Sequence, residues 1–358
     1  MNLYLNRSYI PPDELSTLQS DPRSKLEALS LHANKFIVES LLNQHELFAN
    51  MYTLKQFFLM QKGDFWSIFI NSVGMSLNLP ASSLKKFELE ASMVSAAVQR
   101  PNELFDRVHV RLLSNDLPSS ESLKGWEVFS LDYAVDTALS VVLSSNHLRK
   151  YQKVFAFLFF VHQIDWKLSQ LWQKHIQLEH LLLKLSLVHG QLRYASLVRQ
   201  KMLHFVRNLQ NYLQCEVLDS AWKVFMRNMS TALKLTDVIS AHDLYLSSLL
   251  PKGLEKLIPL FTLVAKFCAM CYEDFKLLFE NLKDIKRVRT VAESRVARGE
   301  WGMDLNEDEV PLRQLQTQAM KLICENFEDV LSTTCSVHMD NSDLRSLSFR
   351  LRFNGYYS

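Results

Sequence analysis

The sequence predicts an all-α protein: an elongated helical bundle with one small antiparallel β-sheet. Three observations lead there. Of 358 residues only 8 are Gly and 9 are Pro, well below average usage of about 7% and about 5%, so breakers are scarce. Hydrophobic residues make up 48%, enough for a large core at this length. Apolar side chains recur every three or four residues along most of the chain, the spacing of one helix face.

Residues 1–23 carry Pro11, Pro12 and Pro22 among polar residues and read as a linker. The remainder, 24–358, reads as one domain. Helices are expected over 24–100. The first begins at Ser24 and runs toward Asn50, with Leu26, Leu29, Ala33, Ile37, Leu41 and Leu42 inside. Gly63 reads as a helix stop and Asp64 as a new N-cap, with Phe65, Ile68 and Phe69 opening the next helix. Another helix covers Ala81 to Val98, ahead of Pro101.

The period then changes to two. Val108, Val110 and Leu112 alternate with other residues, as do Phe129, Leu131, Tyr133 and Val135, and again Leu347, Phe349, Leu351 and Phe353. Lone strands are unstable, so 105–135 and 346–354 are expected to meet in one sheet.

Helices fill 136–335. The first covers Asp136 to Ser144, and a dense apolar pattern runs from Arg149 to His189. The stretch Arg199–Leu250 contains neither Pro nor Gly and is the centre of the chain. Val198, Met202, Phe205, Leu209 and Tyr212 form one helix face. Asp219 and Ser220 offer caps for a second helix carrying Trp222, Phe225 and Met229, and a third follows Thr236 or Asp237. Further helices cover Pro251–Leu282, with an interruption near Pro259, and Pro311–Leu331.

Composition excludes several function classes. A net charge of +2 predicts no dominating attraction to nucleic acid or anionic membrane. Five dispersed cysteines suit a reducing compartment. The N-terminus lacks the apolar core of a secretory signal. The most apolar window, Leu257–Tyr272, is too short for a membrane span and contains Pro259 and Lys266.

Candidate chemistry is equally thin. Cys268 and Cys271 have CxxC spacing but lack a second ligand pair, and read as buried thiols. His175 and His180 leave a helix on different faces. Asp304, Asn306 and Asp308 imitate a calcium loop, yet its sixth position is Glu309 and its twelfth Leu315. His242–Asp243 has no Ser or Cys nucleophile beside it, and His242 reads as a hydrogen-bonded bundle residue. No phosphate-binding Gly loop is present. Lys283, Arg287, Ser294 and Arg298 share a face and form a cationic ridge, read as a solvated face beside the acidic loop 300–309. The expectation is no catalytic residue, no metal and no cofactor.

Five stretches, in order, resemble the gamma-tubulin complex component family: FFLMQKGDFWSIFI, FSLDYAVDTALSVVLS, KYQKVFAFLFFVHQIDWKLSQLW, LHFVRNLQNYLQCEVLDSAW with ISAHDLYLSSLL, and the terminal LRFNGYY. The resemblance covers roughly 24–357, and the pattern is most similar to the fourth, smallest component. Asp136–Thr137 stands where the family has an aromatic–Pro pair, and VHQIDW replaces a more basic segment. The resemblance implies an elongated helical body without chemistry, whose C-terminal half binds gamma-tubulin. The family's N-terminal half makes most lateral contacts and is expected to be missing here, so gamma-tubulin binding carries over better than ring assembly.

The expected partners are gamma-tubulin and other complex components, with no nucleic acid and no membrane. The expected location is the cytoplasm and cytoskeleton, at a microtubule-organising centre (centrosome or spindle pole). An acidic tubulin-like surface would meet polar residues lying off the apolar faces of the matching motifs: Gln61, Lys62, Asp64, Arg199, Arg207, Asn208, Gln210 and Asn211. The alternative is a helical tethering or adaptor module for another protein complex.

Overall fold

The computed structural model describes residues 22–98, 102–113, 123–182, 186–250, 254–280, 317–337 and 344–352, with scattered positions between 290 and 299. Its helices are α1 (Pro22–Asn43), α2 (Leu47–Phe58), α3 (Gly63–Leu77), α4 (Lys86–Ala97), the single turn α5 (Gly125–Val128), α6 (Ser145–Leu182) and α7 (Ser186–Asn211). Then come α8 (Asp219–Thr231), α9 (Leu235–Ser248), α10 (Ile258–Glu280), α11 (Thr317–Val337) and α12 (Arg345–Arg352). Two strands, β1 (Val108–Leu112) and β2 (Phe129–Tyr133), pair antiparallel, with Val108 opposite Tyr133 and Leu112 opposite Phe129.

The long helix α6 is the spine, packed against α2, α3, β2, α7, α9 and α10. Its N-terminal half meets an aromatic cluster. Phe155 lies 5.5 Å from Trp66 and Phe159 5.0 Å from both Trp126 and Phe129, in tilted arrangements that suit ring quadrupoles. Gly74 in α3 makes room for Trp166: a Cβ there would stand 2.5 Å from the indole Cε2. The small sheet lays Phe129, Leu131 and Tyr133 on this core. Tyr133 donates its hydroxyl proton to Asn50 Oδ1 at 2.6 Å, and Arg107 donates to the same oxygen at 3.2 Å. The buried amide of Asn50 also donates to Glu46 O at 3.0 Å, so a polar group in the core is satisfied on both sides.

His242, fully buried on α9, faces the Tyr151 hydroxyl of α6 at 3.1 Å and the Val142 carbonyl at 3.2 Å. Burial, reinforced by His147, holds its pKa down at about 3. Asp243, its neighbour in sequence, points elsewhere and accepts from Lys150 at 2.6 Å. Cys268 and Cys271 are buried, and burial pushes both thiols up, Cys268 to about 12.

Several expectations are corrected. Residues 345–352 form a helix, so the sheet has two strands among the described residues. Leu344, Leu347 and Leu351 are buried at three- and four-residue spacing while Phe349 is 66% exposed; this is the helical solution of a pattern that also alternates. Ser348 Oγ donates to Cys335 O of α11 at 3.0 Å, and Arg350 pairs with Glu216 at 2.5 Å. Residues expected as a helix from Asp136 contain only a 3-10 turn at Leu139–Val141, and α6 starts at Ser145.

In α1, Leu26, Leu29 and Ile37 are exposed, and Val38 is the first of its described side chains to be buried. The helix stops at Asn43, and the chain reverses through Glu46 at φ 49°. Gly63 opens α3 rather than stopping α2, and Asp64 sits in the first turn rather than at the cap. The expected helix from Ala81 divides into a 3-10 turn at Ala81–Ser83 and α4. The linker through Asp21, the calcium-like loop and most of the cationic ridge lie outside the described residues.

Candidate partner-binding site

Among the described residues, the segment joining α7 to α8 is the one π-helical stretch. Residues Tyr212–Leu218 form a π-helix, so the chain passes from α7 into α8 without the break expected after Leu218. With no Pro or Gly to stop it, the helix runs on through widened turns, a device concentrated at functional sites. Asp219 is therefore not an N-cap. Its Oδ1 accepts from Lys55 Nζ of α2 and from Gln61 Nε2, both at 3.2 Å. One turn earlier, Gln214 Nε2 donates to Leu59 O at 3.3 Å.

These bonds fasten the π segment to the turn between α2 and α3. That turn is tight: Lys62 N donates to Gln56 O at 3.1 Å, and buried Met60 holds φ 53°. A non-Gly side chain there costs about 1–2 kcal/mol, so the surrounding contacts fix the turn. Lys62 Nζ stands 5.3 Å from the Phe57 ring. Asp64 is exposed in the first turn of α3, where a carboxylate suits the positive helix end.

The structure thus fastens Gln61, with Lys62 and Asp64 next in the chain, to the π segment and the start of α8. Along α7 and the π segment that continues it, Arg207, Asn211 and Cys215 are exposed at four-residue spacing. Arg207 also reaches across to α6, where its Nε lies 3.7 Å from Asp165 Oδ1, an ion pair too long for a hydrogen bond. Burial raises the Asp165 pKa and Arg207 opposes the rise. Gln210 turns to the same side, with Nε2 3.5 Å from His162 Nδ1, and burial lowers His162 to about 4. Asn208 donates back to His204 O at 2.8 Å.

Arg199 does not join this group. It lies twelve residues before Asn211, roughly 18 Å along the helix at 1.5 Å per residue. It is 6% exposed, with its guanidinium 4.6 Å from the Trp172 ring. Burial, then Arg207, lowers its pKa. The sequence reading missed Gln214, Asp219 and Lys55 as organisers of the site, and Cys215 as its exposed thiol. The unbroken run of helix formers through 212–220 was the available signal.

Among the described residues, no three His, Cys, Asp or Glu side chains are grouped to hold a metal ion. Nor is any helix there long and apolar enough to cross a membrane. The arrangement is a polar, partly cationic corner on an apolar body, suited to a macromolecular surface.

A family profile described as "Gamma tubulin complex component C-terminal" matches residues 47–357. The gamma-tubulin complex component 3 homolog of Xenopus laevis is 25% identical over 95% of this chain and 40% of its own length. Component 3 of Arabidopsis thaliana is 28% identical over 91% of the chain and 42% of its own length. Spindle pole body component 98 of Dictyostelium discoideum is 30% identical over 71% of the chain. Components 2 and 4 from other sources also match. The chain spans about 40% of the length of the first two relatives. A match running from α2 through both halves of the corner and on past α12 is what the five ordered motifs led us to expect, and the chain belongs to the gamma-tubulin complex component family through its C-terminal region.

Proposed function

We propose that the chain is a non-enzymatic gamma-tubulin-binding component of a gamma-tubulin complex, supporting microtubule nucleation at a microtubule-organising centre such as a centrosome or spindle pole. The observation that carries this reading is the fastening of the α2–α3 turn to the π segment within a region shared by the family. Gln61, Lys62, Asp64, Arg207, Asn208, Gln210 and Asn211 are the proposed contact set, and Arg199 acts by holding α7 against Trp172. Lys62 and Arg207 meet acidic groups of the partner through charge-assisted hydrogen bonds. The mechanism is templating: a rigid mount fixes the orientation of gamma-tubulin, so αβ-tubulin adds to a preset lattice and less orientational entropy is lost in forming the nucleus. Other complex components bind the same assembly.

The test is co-sedimentation of purified chain with gamma-tubulin across a salt series. Binding at low ionic strength that weakens as salt rises is expected. Absence of binding at low ionic strength overturns the proposal.

A further inference from the structure

Helix α10 has two apolar faces. One, including Leu260, Val264, Phe267, Cys271, Phe275 and Leu278, is buried in the core. The other is exposed: Ile258, Thr262, Ala265, Ala269, Tyr272, Lys276 and Phe279. These positions advance by four and three residues in strict alternation, which is the a/d seam of a coiled coil running over three heptads. Its large members are open to solvent, Ile258 at 59%, Tyr272 at 52% and Phe279 at 38%. Among the described residues Lys174 of α6 reaches it, its Nζ 3.6 Å from the Tyr272 ring, and the remaining seam side chains stay exposed.

We propose that the seam is a self-association surface, on which α10 of a second copy of this chain packs antiparallel about a two-fold axis at Ala269. Side-chain size selects that direction. Antiparallel packing sets Ile258 against Phe279, Ala265 against Tyr272 and Thr262 against Lys276, while the two Ala269 residues let the backbones approach. Large residues then face small ones at the centre. Parallel packing would stack Tyr272 on Tyr272 and Lys276 on Lys276.

Charge selects the same direction. Lys266 and Glu273 flank the seam on one side, both exposed, and neither has a hydrogen bond or ion pair within the described residues. Antiparallel packing brings Lys266 of each copy opposite Glu273 of the other, giving two ion pairs. Parallel packing would turn both residues toward Phe261, Cys268 and Phe275 of the partner helix and form neither pair. At the far end, a groove of about 380 Å³ lined by Lys174, Tyr272, Phe275, Lys276, Phe279 and Glu280 receives Ile258 of the second copy. Lys276 within the seam weakens the contact but fixes its register. Three heptads form a small interface, so association is expected at micromolar rather than nanomolar concentration.

Sedimentation velocity of the full chain without tubulin tests this, and its outcome is independent of gamma-tubulin binding. The expected result is a weight-average sedimentation coefficient rising from monomer to dimer with concentration. Lys266→Glu or Glu273→Lys alone should weaken association by about tenfold, since each creates two like-charge contacts. The double variant restores the pairs and should return to the wild-type value. Circular dichroism of each variant checks that the exposed substitutions leave the fold intact. A monomer at every concentration overturns the proposal, as does a double variant no better than the single ones. A coefficient that rises only when gamma-tubulin is added also overturns it, since the chain alone is then a monomer.

Discussion

Replacing Asp219 with Ala should destabilise the protein by about 2 kcal/mol, because hydrogen bonds to charged groups contribute about 1.5–3 kcal/mol. The estimate follows from its surroundings. The carboxylate accepts from Lys55 Nζ and Gln61 Nε2, both at 3.2 Å. Lys55 is the more enclosed partner, its side chain 11% exposed against 46% for Asp219. Solvent beside the aspartate screens the pair and holds the figure toward the lower end of that range. The stranded ammonium keeps the Trp222 ring, 4.9 Å away, which offsets roughly 0.5–1 kcal/mol. In the double variant Lys55→Met/Asp219→Ala no charge is left behind, so its loss should be smaller than that of Asp219→Ala alone. Urea unfolding of wild type, both single variants and the double variant measures all four corners of the cycle. A loss below about 0.5 kcal/mol for Asp219→Ala, the scale of ordinary surface changes, would refute the argument that this carboxylate fastens the π segment to α2. So would a double variant worse than the sum of the single ones.

Two further outcomes follow from the core. Gly74→Ala should lower the urea midpoint: overpacking against Trp166 costs about 1–3 kcal/mol, more than the roughly 1 kcal/mol of helix propensity that Ala adds. Trp166 is itself braced by Trp126 at 5.6 Å, so a raised midpoint would show that the indole is not confined as described. Acidification should also weaken the fold. His242 and His162 are held neutral by burial, with pKa values of about 3 and about 4, while the unfolded chain protonates near 6.5. Stability is therefore full above pH 6.5 and falls as pH drops toward the folded values, by roughly 2 kcal/mol per histidine at pH 5. Urea midpoints at pH 7 and pH 5, with NMR of the His242 ring, check this; a His242 ring protonated at pH 5 in the folded protein would contradict it.

Helical class was legible because it depends on period and on the scarcity of Gly and Pro, both local properties. What a helix packs against is not local. Leu26, Leu29 and Ile37 have the right spacing for a core face, yet α1 extends past the core before Val38. The seam of α10 shows the same limit, since period reveals an apolar face without saying which side is covered. Residues 345–352 were ambiguous because Leu347 and Leu351 fit either period over so short a run, and only the burial of Leu344 with the exposure of Phe349 separates the two.

The residues singled out for the proposed contact set divide for a related reason. Gln61, Lys62 and Asp64 lie at a turn, where polar side chains have room to face outward. Arg199 lies off the apolar stripe of α7, but that flank meets α6, so it is spent on Trp172, while half-buried Gln210 has His162 as a neighbour and keeps part of its surface open. Asp219 resembled a cap by residue type, and only the continuous π segment shows it to be a clasp. Polar residues beside a stripe are therefore as often neighbours of the next helix as they are surface contacts.

The location of the partner surface can be read at one atom. Cys215 is exposed at four-residue spacing after Arg207 and Asn211, whereas Cys268, Cys271, Cys324 and Cys335 are buried. The rate of maleimide addition to Cys215, with and without saturating gamma-tubulin, tests whether the corner is the contact. The account predicts that the rate falls by at least about tenfold in the complex, as for a group removed from solvent. An unchanged rate in a complex shown to have formed would contradict it and place gamma-tubulin elsewhere on the molecule.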